Sequence, residues 1–297
     1  MNRALLFGSA LALVIAAPVQ AATKPPTLAL ITLTPTISTN FSGGDEVQKL
    51  ITSPTAIFLL GTVESTTSPF VTSPSLGGTD GFISALNPQG VKVWELRLGS
   101  PGDDVATAGL IDDSGTIWVV GSSAVAPSAS TPAPGLNRLT VWEISAGGLL
   151  ENTFTKDVGD IDIPTSVALK GANFIIQGIS NKAGFPSFTV SLTPLGKIGA
   201  IKNSATAVVI SPQILTTSSA SYGWQSYVTS KAINGVTGLP APQKTTVLIK
   251  SALKGKAMKA IYSVVGSPLS LQYQSGVGVV ELTQNAGTYF VTIIRAK

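Results

Sequence analysis

Carboxylates crowd the first half of this chain. Asp103 and Asp104 are adjacent, as are Asp112 and Asp113, and Asp157, Asp160 and Asp162 share the stretch DVGDID. Two chemistries could use them. Loop carboxylates supply the oxygen ligands that Ca²⁺ prefers, and paired acids around a cleft can cleave a glycosidic bond. DVGDID lacks the full spacing and the closing Glu of an EF-hand loop. Asp in such stretches more commonly caps local backbone N–H groups in turns. Turn chemistry is therefore the preferred reading, with Ca²⁺ at Asp157, Asp160 and Asp162 the lesser one and no other cofactor expected. A glycosidase would need acids converging from around the molecule, and the second half supplies almost none.

Other catalytic classes fall to what is missing. The sequence has no His and no Cys. That removes a Ser-His-Asp triad, a histidine base, a thiolate nucleophile and the common zinc sites. No Walker loop or GxGxxG dinucleotide motif occurs. No catalytic residue is assigned, and the reading leans away from an enzyme.

Binding chemistry is better represented. Tyr222, Trp224 and Tyr227 lie within YGWQSY. On a strand Tyr222 and Trp224 share one face and Tyr227 takes the other. Exposed, the pair could stack on a sugar ring; buried, it packs between sheets, which is the favoured outcome. Lys250, Lys254, Lys256 and Lys259 follow in KSALKGKAMK across an expected hairpin. They could contact an anionic polymer, phospholipid head groups or an acidic protein, or simply be a solvated edge that resists pairing.

The surrounding charge weakens the solvated-edge reading. From Ile163 onward there are twelve Lys or Arg against one acid, Glu281, a net of +11. Residues 22–162 hold six bases against fourteen acids, a net of −8. So asymmetric a field steers anionic partners. Nucleic acid is not expected, because the interleaving of aromatic and basic residues found in its binders is missing.

The N-terminus indicates where such a partner would be met. MNRALLFGSALALVIAAPVQA has one early charge, Arg3, an apolar core from Ala4 to Ala17, and small residues at Val19 and Ala21. This is the pattern of a secretory signal peptide, residues 1–21, cleaved after Ala21. The apolar run is shorter than the ~20 residues a permanent span needs. Residues 22–297 are then one domain, secreted or periplasmic, with no membrane anchor after cleavage. An exported chain without cysteines is held by packing alone and fits a bacterial envelope better than a eukaryotic secretory route.

Only 11% of residues are charged, while Gly and Pro are plentiful. That is the composition of an all-β protein with tight turns. It also repeats. GGDEVQKLITSPTAIFLLGTV aligns with GDDVATAGLIDDSGTIWVVGSS, and GFISALNPQGVKVWELRLG with RLTVWEISAGGLLENTFTK. Each unit carries four strand-length runs, with a Pro/Ser-rich loop between the second and third. Looser units follow, giving approximate blades 43–99, 100–159, 160–204, 205–266 and 267–297. The last is one strand short, and TLALITLTPTI at 27–37 can complete it. The expectation is a β-propeller of five four-stranded blades, the last closed by the N-terminal strand. A two-sheet sandwich is the alternative. Gly61, Gly121 and Gly178, at the ends of second strands, would let backbones approach closely. Phe82, Trp94, Trp118 and Trp142 would fill the space between sheets.

Residues 76–123 resemble the bacterial β-propeller repeat known as SBBP, with its GGxDAFVAKLxPxG core, a Trp, an LGGxGxD turn and a DxxGNVYVTGxT strand. The matching positions are Gly78, Asp80, Phe82, Leu86, Pro88 and Gly90, then Trp94, Leu98, Gly99, Gly102 and Asp104. Asp113, Gly115, Val119, Gly121 and Ser122 follow. The match is clear over one and a half units and faint elsewhere. The resemblance implies a propeller fold and no particular activity. The expected function is a non-catalytic binding or scaffold module. Its partner would be a protein or an anionic envelope polymer, met through loops and the basic half. A glycan-binding lectin or glycoside hydrolase is the alternative.

Overall fold

A computed structural model describes residues 27–40, 45–64, 68, 71–124, 135–136, 138–158, 161–208, 214–254 and 256–295. The expected leader and Asp160 lie outside the described residues. Every regular element among those described is a strand. Two short strands come first, β1 (Leu28–Thr32) and β2 (Ile37–Asn40).

Sheet I is an antiparallel meander of β3 (Glu46–Thr52), β4 (Ile57–Val63), β5 (Asp80–Leu86) and β6 (Lys92–Leu98). Sheet II repeats it with β7 (Asp104–Ile111), β8 (Ile117–Ser123), β9 (Arg138–Ile144) and β10 (Leu150–Asp157). Sheet III follows with β11 (Asp162–Lys170), β12 (Asn173–Ser180), β13 (Ser187–Leu192) and β14 (Lys202–Ser204). Sheet IV contains β15 (Leu215–Ser218), β16 (Tyr222–Thr229), β17 (Val236–Thr237), β18 (Thr245–Ala252) and β19 (Met258–Val264). Sheet V contains β20 (Ser267–Gln274), β21 (Gly278–Asn285) and β22 (Thr288–Ile294).

The first strand of a sheet packs against its neighbour. β7 lies on sheet I, β11 on sheet II, and β20 on β15 and β16. β3 lies on β20, so the first sheet meets the last. This is a β-propeller arrangement. One apolar cluster fills the space between sheets V and I around Leu50, Phe82 and Leu282. Another joins sheets I and II through Leu60, Ile83 and Trp142, and a third joins II and III through Trp118, Phe174 and Phe188. Trp94 packs at the I–II seam with Phe58, ring centroids 5.7 Å apart. The large rings expected between sheets are there, each covering more of the space between two sheets than an aliphatic side chain does.

The glycines do what close approach requires. A Cβ on Gly61 would lie 1.9 Å from the Glu46 carbonyl oxygen, and one on Gly121 would lie 1.8 Å from that of Val105. Opposite each, the inner strand bulges, between Val47 and Lys49 and between Ala106 and Ala108. The bulge pushes its carbonyl into space that only glycine leaves open.

Two sequence expectations are corrected. The regular four-stranded pattern holds in four sheets; sheet IV has six strands, in the order β15-β16-β18-β19-β1-β17. An N-terminal strand does complete the last sheet, but it is β2 at Ile37–Asn40 rather than the whole of residues 27–37. β1 runs parallel to β19 in sheet IV, while β2 pairs antiparallel with β22 in sheet V. Pro35 separates the two because it has no N–H to continue a ladder. In the unit expected at 205–266, residues 209–213 lie outside the described residues, and the first described strand is β15.

Sheet IV differs for a physical reason. Its Val247, Ile249 and Ile261 face is covered from within the same sheet region, by Leu28, Leu30, Ile233, Val236 and Leu239. Its opposite face, around Trp224 and Leu248, meets sheet V at Leu271 and Val279.

Candidate functional site

That second face opens into a cleft. Trp224 on β16 stands opposite Lys250 on β18 in the antiparallel register. Tyr222 lies two residues along β16, so it shares the face of Trp224. Tyr227 packs on the other side of the sheet with Val247 and Ile261. The Lys250 ammonium sits 3.9 Å from the centroid of the Tyr222 ring and 5.4 Å from that of Trp224. Tyr262 on β19 stacks on Trp224, centroids 6.3 Å apart and planes 19° apart. Sheet V supplies the facing wall, with Tyr273 from β20 and Arg295 just past β22. The Tyr273 backbone N–H donates to Thr217 Oγ1 at 3.1 Å, which ties the two walls together. The cavity is about 430 Å³, in the size range of small-ligand pockets.

The chemistry of the lining is one-sided. Among the described residues it holds aromatic rings, two cations and the hydroxyls of Ser219 and Ser221, and no carboxylate. The one acid of this half, Glu281, is fully buried elsewhere in the same seam, where its Oε1 accepts a hydrogen bond from Ser226. Burial pushes its carboxyl up to about 7. Lys254 and Lys256 are exposed at the β18–β19 turn, and Lys259 is exposed on β19. Thus Tyr222, Trp224 and Lys250 come together, and the other three lysines lie outside the cleft lining. Sequence reasoning missed Tyr262, Tyr273 and Arg295. Their signal was an aromatic or basic residue near the end of successive strands, which becomes legible only once sheets IV and V are paired.

Ion pairs follow the charge division. The described ones are Lys92–Glu95, Arg97–Asp80 at 2.7 Å, and Arg138–Asp157 at 2.6 Å, all within residues 80–157. Lys250, Lys254, Lys256, Lys259 and Arg295 form none among the described residues.

The acidic candidates are occupied with structure. Asp112 Oδ1 accepts from the N–H groups of Ser114 and Thr116, and its Oδ2 accepts from Trp118 Nε1 at 2.9 Å. These bonds hold its carboxyl below the usual range against the opposing effect of burial, the largest single influence on it. Asp103 accepts from the Thr79 N–H at 3.0 Å. Asp104 is buried and accepts from Ser100 N–H at 2.7 Å. Asp157 pairs with Arg138, and Asp162 is buried at the head of β11. Among the described residues no three acids cluster as a metal site would require. A second hollow of about 500 Å³ lies among the turns at 52–56 and 111–115. Its two carboxylates, Asp112 and Asp113, are adjacent on one turn rather than set across from each other.

No family model matches the chain, and no curated protein matches it. Solved structures with a similar course do exist. The Pan2 WD40 domain of Neurospora crassa is 12% identical, with a TM-score of 0.37, over 92% of this chain and 98% of that one. Hydrazine synthase of Kuenenia stuttgartiensis is 12% identical, with a TM-score of 0.34, over 80% of this chain and 76% of that one. A xylan β-1,4-xylosidase from Bacillus halodurans C-125 is 12% identical, with a TM-score of 0.39, over 86% of this chain and 44% of that one. The class defined by the sheets themselves is an all-β chain in a β-propeller arrangement.

Proposed function

We propose that this chain is a secreted, non-catalytic β-propeller that binds or scaffolds cell-envelope or other extracellular partners. Residues 1–21 direct export, and the sheets form a five-bladed ring built on an SBBP-type repeat, with the six-stranded sheet IV as its fourth blade. Contacts come from ring-face loops and the basic half. One observation carries the reading. From Ile163 onward the only acid is a buried glutamate, while Lys250, Lys254, Lys256, Lys259 and Arg295 have no ion-pair partner among the described residues. A surface of unneutralised cations attracts an anionic partner at long range. The carboxylate-free cleft favours binding over glycoside hydrolysis, which needs two acids across the scissile bond.

The test is co-sedimentation of the mature chain with isolated envelope material, beside a variant with Lys250, Lys254, Lys256 and Lys259 changed to Glu. The wild type sediments and the variant stays in solution. Equal sedimentation of both would overturn the role of the basic half.

A further inference from the structure

The cleft between sheets IV and V has a narrower meaning than the charge around it. We infer that it is a binding site for a uronate-bearing glycan, a pyranose chain carrying carboxylates. This rests on the proposed role as an anionic-partner binder and names the ligand class.

Three features converge on that chemistry. First, the walls offer flat ring faces. Tyr222, Tyr262 and Tyr273 are each half-buried, which leaves part of each ring accessible, with Trp224 as the buried floor. Such rings suit the C–H face of a pyranose, because they present apolar area at little entropic cost while keeping a polar tip. Second, the polar groups are mainly donors. The Lys250 ammonium and the Arg295 guanidinium can only donate, the Ser221 and tyrosine hydroxyls can donate or accept, and the described lining holds no carboxylate. A neutral sugar presents hydroxyls that need acceptors as well as donors. A uronate replaces one with a carboxylate, which takes the charge-assisted hydrogen bonds that Lys and Arg provide.

Third, Lys250 is held in place. Its ammonium lies over Tyr222 and near Trp224 rather than against a carboxylate. A cation over ring faces keeps its charge available to an incoming anion, whereas an ion-paired lysine must first give up its partner. The cleft also lies on the seam between two sheets, a groove open to solvent into which an extended chain can be laid.

The test is calorimetric titration of the mature chain with tetragalacturonate, a neutral galactose tetramer and inorganic polyphosphate. The variants are Lys250→Gln, Tyr273→Ala and a Lys254→Gln/Lys256→Gln/Lys259→Gln combination, each checked by thermal melting. Tetragalacturonate binds the wild type at least about tenfold more tightly than the neutral tetramer does. Lys250→Gln and Tyr273→Ala each weaken that binding by about tenfold or more, while the combination outside the cleft changes it less than about threefold. Two results overturn the inference. If polyphosphate and tetragalacturonate bind equally and only the outside combination weakens them, the contact is the general basic surface, and the proposed function survives without the cleft. If no polyanion binds the wild type, the inference falls, and the proposed function stands or falls by the sedimentation test alone.

Discussion

The ammonium of Lys250 rests 3.9 Å from the centre of the Tyr222 ring, and no carboxylate among the described residues is paired with it. The electron-rich ring face attracts the ammonium without neutralising its charge. Cation–ring contacts at such sites are worth roughly 0.5–1 kcal/mol. Lys250→Met therefore lowers unfolding stability by no more than about 1 kcal/mol in a urea titration. A substantially larger loss would mean that this lysine holds the sheets together and is not free to meet a ligand.

The buried Arg97–Asp80 pair behaves oppositely. Arg97 bonds Asp80 at 2.7 Å and also donates to the Ser73 carbonyl oxygen at 2.8 Å, with both side chains almost wholly inaccessible. Arg97→Met strands a carboxylate in the interior and costs about 3–5 kcal/mol. Changing Asp80 to Leu as well recovers much of that loss, because the unpaired charge is then gone. Denaturant unfolding of the two variants separates the cases.

Gly61 and Gly121 are conformationally demanding for lack of room rather than for torsion. Neither has a positive φ, yet an added Cβ would meet a backbone carbonyl oxygen within 2 Å. Gly61→Ala or Gly121→Ala lowers stability by about 3 kcal/mol or more. Gly115 is the control. It has φ of 87° but open space around it, so Gly115→Ala costs about 1 kcal/mol. Thermal melts of the three variants rank them.

Glu281 gives the fold a pH dependence of definite sign. Its folded carboxyl is raised by burial to about 7, above its ordinary value of 4.5. Between those values the folded chain holds more protons than the unfolded one, so stability falls as pH rises. The wild type loses melting temperature from about pH 5 to about pH 8, and Glu281→Gln removes that decline. A decline that persists in the variant would place its source in other groups.

What the sequence revealed and what it hid have separable causes. Sheets I and II were legible because tight hairpins force particular residues into fixed places. Gly90 and Gly115 adopt positive φ, and Asp104 caps its own connection. Sheet IV was not, because its pattern is set by long-range covering. Leu28 and Leu30 reach it from more than two hundred residues away in sequence, Leu28 beside Val236 and Leu30 beside Ile261, and nothing local to them signals a parallel partner at β19. The site divided in the same way. Tyr222, Trp224 and Lys250 are neighbours by strand register within one sheet. Tyr273 and Arg295 join them only through the packing of sheet V on sheet IV.

The central claim is that the unneutralised half of the ring binds an anionic surface. The most direct measurement is a salt titration of wild-type sedimentation with isolated envelope material, from low to high ionic strength. Binding that is strong at low salt and lost as screening shortens the reach of exposed charges is the predicted result. Sedimentation unchanged by salt, or absent throughout, would contradict it.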